Sequence, residues 1–422
     1  MFKISLTRSL QRRSVIVMTA LLVAGCSGAS VNQSLEQRAA RLHDEIIVID
    51  SEIDVRFDLY ADPSKDPALD QDWQFTLPKM ERGGMDAAVF VVYVPQELRT
   101  PEGYAKSFEG GRKKLAAIQR MAAENPDRVE IAKTAEDVER IVAAGKRAAM
   151  IGIVNASVLG PNLEELDLYD DAGVVYIGFT HVGHNQISDS ARLSAPNGDG
   201  PIEHGGLSAL GVDLIAEMNR RGILVDVSQI SADALLQAAA VSQAPIIASH
   251  SSVYGLVPTA RNITDAGLQA ITDTGGVIQI VAFRSFILDT YDDLQAGIAV
   301  VRERYGLTPE MTAADLPSDQ IGTFLKDYGS VVLSLPMPTV SQYVDHIDYA
   351  VKFMGIDHVG ISSDFEHGGG IDGWNDVSEV GNVTLELVRR GYSDEDIKKI
   401  MGSNFLRVMR EAEEIAARLS PQ

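Results

Sequence analysis

The chain has 422 residues, 45% of them hydrophobic, and a formal net charge of −22. That length suits one elaborated domain, and so acidic a surface repels phosphate backbones, which excludes nucleic acid as an expected partner. Cys26 is the single cysteine, so a disulfide framework, Cys-ligated zinc and a cysteine nucleophile are all excluded from the chain that follows it.

The first 25 residues read as a lipoprotein signal peptide. Lys3, Arg8, Arg12 and Arg13 form a basic start, and the apolar run Val15 to Ala24 is too short to span a bilayer. It ends in Val23-Ala24-Gly25-Cys26, which resembles a bacterial lipobox and marks Cys26 as the expected lipidation site. The four basic residues and no acids of this leader leave the remainder more negative than the whole chain. Ser27 after the cysteine follows the sorting convention for the periplasmic face of the outer membrane in a Gram-negative host. Membrane contact is expected through the lipid anchor alone.

Residues 26–45 read as a polar tether and a short amphipathic helix, Leu35 to His43. From there apolar, β-branched runs alternate with helical stretches. The runs are Ile46–Asp50, Ala87–Val94, Ala148–Val154, Val174–Thr180, Ile223–Val227, Pro245–Ser249, Val277–Ala282 and His358–Ser362. They are continuous rather than alternating, as in parallel strands buried on both faces. Between them, Leu207, Leu210, Leu214 and Met218 form a helical stripe that Gly222 can terminate, Ser231 can cap the next helix, and Ser393 with Asp396 resembles a capping box. The pattern predicts an α/β fold, a (β/α)8 TIM-type barrel spanning 46–422, with an open doubly wound sheet as the alternative. Insertions near 60–75 and 286–338, the second with a helical pattern from Asp292 to Tyr305, leave from strand C-terminal ends, where a barrel builds its active site.

Residues at those strand ends converge on one mouth: Asp50, Glu52 and Asp54; Asn155; His181 and His184; Asp226, Ser228 and Gln229; His250; Asp364 and Glu366. Carboxylates and imidazoles gather there although the chain has only eight histidines.

Longer motifs carry a resemblance over nearly the whole mature chain. Leu77-Pro78-Lys79-Met80-Glu81-Arg82-Gly83-Gly84 before the second strand and Tyr93, Phe179-Thr180-His181 with His184-Asn185-Gln186 and Asp189-Ser190, Ala244 to Ser252 with Arg261-Asn262, Gly360-Ile361-Ser362-Ser363-Asp364-Phe365, and Asn404 to Val408 are similar to segments of the renal (membrane) dipeptidase family. The resemblance implies a TIM-type barrel of the metal-dependent hydrolase kind and a binuclear zinc hydrolase acting on dipeptides. Its ligands would be a His and an Asp on strand one, a bridging Glu on strand three, and a His after each of strands five and six.

This sequence departs at three of those five positions: Glu52 stands for the first His, Val154 for the bridging Glu, and Gln229 for the third His, while Asp54 and His250 match. Glu366-His367 also replaces the usual Asp-Gly after Asp364-Phe365. The candidate metal positions are therefore Glu52, Asp54, Gln229 and His250, with the bridge lost at Val154. At most one divalent ion is expected, zinc by family or Mg²⁺, Mn²⁺ or Ca²⁺ by an oxygen-rich set of Glu52, Asp54 and Asp364, and a site with no metal is the other option. The resemblance assigns catalytic and substrate-binding roles to His181 and Asp364, and gives Arg261 the substrate's terminal carboxylate. Three functions follow as alternatives: a dipeptidase-like hydrolase with an altered metal-poor site, a non-catalytic periplasmic binding or assembly lipoprotein, or metal-free acid–base chemistry by Glu52, His181 or His250, and Asp364. The expected partner is a small dipeptide-like ligand, except that the third alternative acts on a different substrate.

Overall fold

The computed structural model describes residues 33–419 apart from 57, 58, 60, 61, 63 and 64, so the leader and Cys26 lie outside the described residues. Among the described residues there are nine strands, most of them buried runs of β-branched and small apolar residues: β1 (Ile49–Asp54), β2 (Ala87–Tyr93), β3 (Val129–Ile131), β4 (Arg147–Val154), β5 (Val174–Gly178), β6 (Leu224–Asp226), β7 (Ile246–Ser251), β8 (Val277–Val281) and β9 (Val359–Ser362). Eight pair in parallel in the order β1-β2-β4-β5-β6-β7-β8-β9, and β3 pairs with β4 off this path. The loop after β9 meets β1 again: Asp54 N–H donates to Phe365 O at 3.0 Å and Asp364 N–H to Glu52 O at 3.2 Å. That contact brings the sheet round on itself. The arrangement is the expected TIM-type barrel, nearly closed, and not an open doubly wound sheet.

The barrel interior explains where β1 departs from the apolar run Ile46–Asp50. The apolar pattern ends β1 at Asp50, but the strand runs on through Asp54 because its polar residues bond inside the barrel. Ser51 Oγ donates to Ser249 O at 2.6 Å, and the Tyr176 hydroxyl donates to Ser51 O at 2.9 Å. Tyr176 fills the centre only because residue 152 is glycine: a Cβ there would stand 2.6 Å from Tyr176 Cζ. The family-like ligand motif thus lies within a strand. β7 likewise continues through His250 to Ser251. The three-residue β3 carries no apolar run long enough to be read from sequence.

Helix ends follow local chemistry. Gly222 ends Ala209–Arg221 at φ 75°, Ser231 Oγ accepts from Ala234 N–H, and Ser393 and Asp396 form a reciprocal capping box. After β8, residues 284–338 contain the helices Tyr291–Arg304 and Ser318–Ser334, with a small apolar cluster of their own around Val301, Leu307, Leu316 and Phe324. No helix among the described residues is long and apolar enough to cross a membrane.

Candidate functional site

The strand ends open into one pocket with about 510 Å³ of empty space, part of it continuous with solvent. β1 contributes Glu52, β2 Tyr93, β4 Val154 and β7 His250; the loops after β5, β6 and β9 contribute His181 and Arg192, Gln229, and Asp364 and His367. Arg261 enters from the loop after β7, and Phe283 and Phe286, stacked with ring centroids 4.4 Å apart, close the side after β8. Seven positions singled out in the sequence, Glu52, Val154, His181, Gln229, His250, Arg261 and Asp364, therefore share one wall-to-wall site.

A row of directed hydrogen bonds crosses this site. Arg192 Nη2 donates to Gln229 Oε1 at 2.6 Å, which fixes the amide so that Gln229 Nε2 donates to His250 Nε2 at 2.9 Å. The His250 proton then sits on Nδ1, facing Glu52 Oε2 in a very short contact and Ser249 Oγ at 2.8 Å. Arg192 Nη2 also reaches His181 Nε2 at 3.3 Å. Arg261 spends both terminal nitrogens on Ser251 Oγ at 2.8 Å and His250 O at 2.6 Å, so it is a buried clamp and not a surface ion pair. Its Nε is buried without a hydrogen-bond partner.

Asp54 differs from its neighbours on β1. Its Oδ1 accepts from Lys114 Nζ at 2.5 Å and its Oδ2 contacts His367 Nδ1 at 3.0 Å. Lys114 projects from the helix Pro101–Glu124, is 5% exposed, and lies 5.2 Å from the centre of the Tyr93 ring. Neither Lys114 nor Arg192 was singled out from sequence. The available signal for Lys114 was its place in the buried stripe Ser107, Gly111, Lys114, Ile118 and Met121 of that helix. His367 stands against Tyr93 and His181, with ring centroids 4.5 and 5.3 Å away.

Burial dominates the electrostatics. It pushes the Glu52 carboxyl well above the usual carboxylate range, with Asp226 adding to the effect, and lifts Asp364 to about 6, with Glu52 adding. Burial also drives His181 well below its usual value, helped by Arg192, and His250 down to about 3, helped by Arg261. Arg261 falls to about 9 through burial and then the charge of Arg192. His367 moves the other way: burial opposes its charge, but the bond to Asp54 and the charges of Asp364 and Asp54 prevail.

The other strand-end residues are framework. Asp50 accepts Glu52 N–H and Ser363 N–H, and burial lifts it to about 7. Asp226 accepts from Ser228 N–H, Ser249 N–H and Ser249 Oγ, and Ser228 Oγ accepts His250 N–H. Asn155 accepts Ser157 N–H and donates to Val94 O. His184 bridges Ser190 N–H and Gly200 O, and Asp189 gathers the amides of Glu203, His204 and Gly206. Glu366 pairs with Arg56 and accepts Phe75 N–H, outside the pocket. Among the described residues no group of three or more His, Cys, Asp or Glu side chains stands together in a form that could hold a metal ion. The expected oxygen set Glu52, Asp54 and Asp364 is thus not assembled, because Asp54 faces Lys114 and His367.

A family model described as membrane dipeptidase (peptidase family M19) matches residues 36–422. The curated dipeptidase tcpJ of Claviceps purpurea is 33% identical over 373 residues, covering 86% of this chain and 74% of its own. Dipeptidase aclJ of Aspergillus oryzae is 29% identical over 353 residues, covering 82% of this chain and 72% of its own. The crystal structure of the probable dipeptidase PvdM from Pseudomonas aeruginosa matches with a TM-score of 0.82 at 37% identity, covering 90% of this chain and 99% of that one. A metallo peptidase from Rhodobacter sphaeroides, solved with a phosphinate mimic of the dipeptide L-Ala-D-Ala, matches with a TM-score of 0.67 at 20% identity, covering 87% and 99%. That last likeness is one of fold.

Proposed function

This chain belongs to the membrane dipeptidase family, and from that premise we propose that it binds a small dipeptide-like ligand at the barrel mouth without the zinc pair of a dipeptidase. The observation that carries the reading is Val154. It lines the pocket at the position where the family bridges two metals with a carboxylate, and an isopropyl group donates no lone pair. Gln229 and His250 add support, because they are bonded to each other across the pocket wall at 2.9 Å. Two divalent ions without a shared carboxylate repel each other strongly in so buried a site. The zinc pair therefore does not fit this donor set.

The ligand-handling groups suit an amino-acid-like molecule. Arg261 Nε is a buried donor with no partner of its own, suited to a carboxylate oxygen. Asp364, on the pocket wall, is suited to an ammonium or amide N–H, and His181 supplies a neutral imidazole in the same pocket. The Phe283–Phe286 stack offers an apolar face for a side chain. A second reading, metal-independent acid–base chemistry on the bound ligand, is favoured by the position of Asp364 near 6, where it exchanges a proton close to neutrality.

The deciding experiment combines elemental analysis, dipeptide hydrolysis and calorimetric binding of a non-hydrolysable dipeptide analogue on one sample, before and after chelation. Fewer than two zincs per chain, with analogue binding that survives chelation, is the expected result. Two tightly held zincs with hydrolysis abolished by the chelator would overturn the proposal; hydrolysis that survives chelation would select the second reading. The motif ending at Cys26 supports export and lipid anchoring at the periplasmic face of an outer membrane. Fatty-acid labelling that persists unchanged in Cys26→Ser would refute that assignment.

A further inference from the structure

A lysine in the buried stripe of a helix is costly unless its charge is matched. Lys114 meets that condition at the carboxylate of Asp54, which it contacts at 2.5 Å while His367 takes the other oxygen at 3.0 Å. Asp54 is the strand-one carboxylate at a position where the family binds metal. Both of its oxygens are thus committed to nitrogen donors supplied by the chain, one from the outer helix Pro101–Glu124 and one from the loop after β9.

We propose that Lys114 is a built-in replacement for a metal ion: its ammonium supplies the positive charge that Asp54 requires and keeps divalent cations out of the barrel mouth. His367 completes the replacement by orienting the second oxygen. A metal entering on Asp54 would have to break the buried Lys114–Asp54 pair. That weakens metal binding by roughly two to three orders of magnitude relative to the same site without the lysine. The Tyr93 ring, 5.2 Å from Nζ, helps to hold the ammonium where it is by cation–π attraction. The inference rests on the metal-poor reading of the pocket and deepens it by naming the residue responsible.

The test uses the full-length protein and two probes, zinc by elemental analysis after gel filtration and Co²⁺ by its d–d absorption, neither of which depends on activity. Wild type is expected to retain neither ion at stoichiometric load. Lys114→Met, which keeps the stem and removes the charge, is expected to take up about one ion per chain, with at least a hundredfold tighter Co²⁺ binding. A Lys114→Met protein that folds and gains no metal overturns this inference while leaving the metal-poor reading intact. Wild type already holding two zincs overturns both. Should Lys114→Met fail to fold, Lys114→Met/Asp54→Asn is the second variant: recovery of folding in the pair, with Asp54→Asn alone destabilised, supports the charge match, and no recovery overturns it.

Discussion

Asp364→Asn should make the protein more stable at neutral pH while weakening its ligand binding. Asp364 is buried, and burial followed by the neighbouring Glu52 raises its carboxyl from 3.8 to about 6. A folded-state value above the unfolded one means that the native protein binds this proton more tightly than the unfolded chain does. Its stabilising contribution is complete below the unfolded value and is lost as pH rises through about 6. At 1.36 kcal/mol per pH unit, the full loss is about 3 kcal/mol above pH 7 and about 1 kcal/mol at pH 4.5. Asparagine keeps the shape and removes the charge. It also tolerates the left-handed backbone at φ 57°, so the substitution adds no strain of its own. Unfolding midpoints of wild type and variant, compared at pH 7.5 and 4.5, should show an advantage for the variant that shrinks on acidification. Calorimetry at pH 7.5 should show weaker binding of an amine-bearing dipeptide analogue. A variant equally destabilised at both pH values would refute the argument, since Asp364 would then be a carboxylate held ionised by His367 and Arg261.

Other substitutions probe the remaining links. Arg261→Lys preserves charge but not the fork that spans Ser251 and the His250 carbonyl; analogue affinity should fall at least about tenfold, and unchanged affinity in calorimetry would remove Arg261 from the ligand. Gly152→Ala puts a methyl 2.6 Å from Tyr176 Cζ, so the unfolding free energy should drop by about 1–3 kcal/mol; an unaltered denaturation curve would mean that the ring yields. Glu52→His, Val154→Glu and Gln229→His made together should raise zinc content without reaching two per chain, and adding Lys114→Met should bring it toward two. Two zincs in the triple variant alone would deny Lys114 its role.

Much of the fold is written in the chain because buried parallel strands require apolar residues on both faces, as in Ala87–Tyr93 and Val277–Val281. Where the barrel interior is polar, the same signal fails: Asp50, Ser51 and Glu52 belong to β1 because of partners on other strands, which periodicity cannot reveal. The site divides in the same way. Residues at strand ends were legible because the topology brings them to one mouth, so Glu52, His181, Gln229, His250 and Asp364 meet there. Those whose part depends on a distant partner were not. Lys114 is 60 positions from Asp54, and Arg192 is 37 from Gln229. His367 drew notice only as a departure from a motif, whereas its bond to Asp54 makes it a member of the site.

Four residues along the barrel mouth, Asn155, Gln229, Asp364 and Glu366, lie in the left-handed region with φ between 57° and 80°. Backbone of that kind admits glycine, asparagine, aspartate and histidine far more readily than valine or isoleucine. It therefore filters the residues that mutation can introduce there before any chemistry is tested. Val154 ends an extended strand, where a β-branched residue meets no such barrier. A β-branched apolar residue is thus sterically admitted at the bridging position and disfavoured at residue 229, where a histidine can enter with little backbone adjustment. The backbone sets an unequal mutational path between a metal-binding mouth and this one, short at 229 and open to apolar drift at 154.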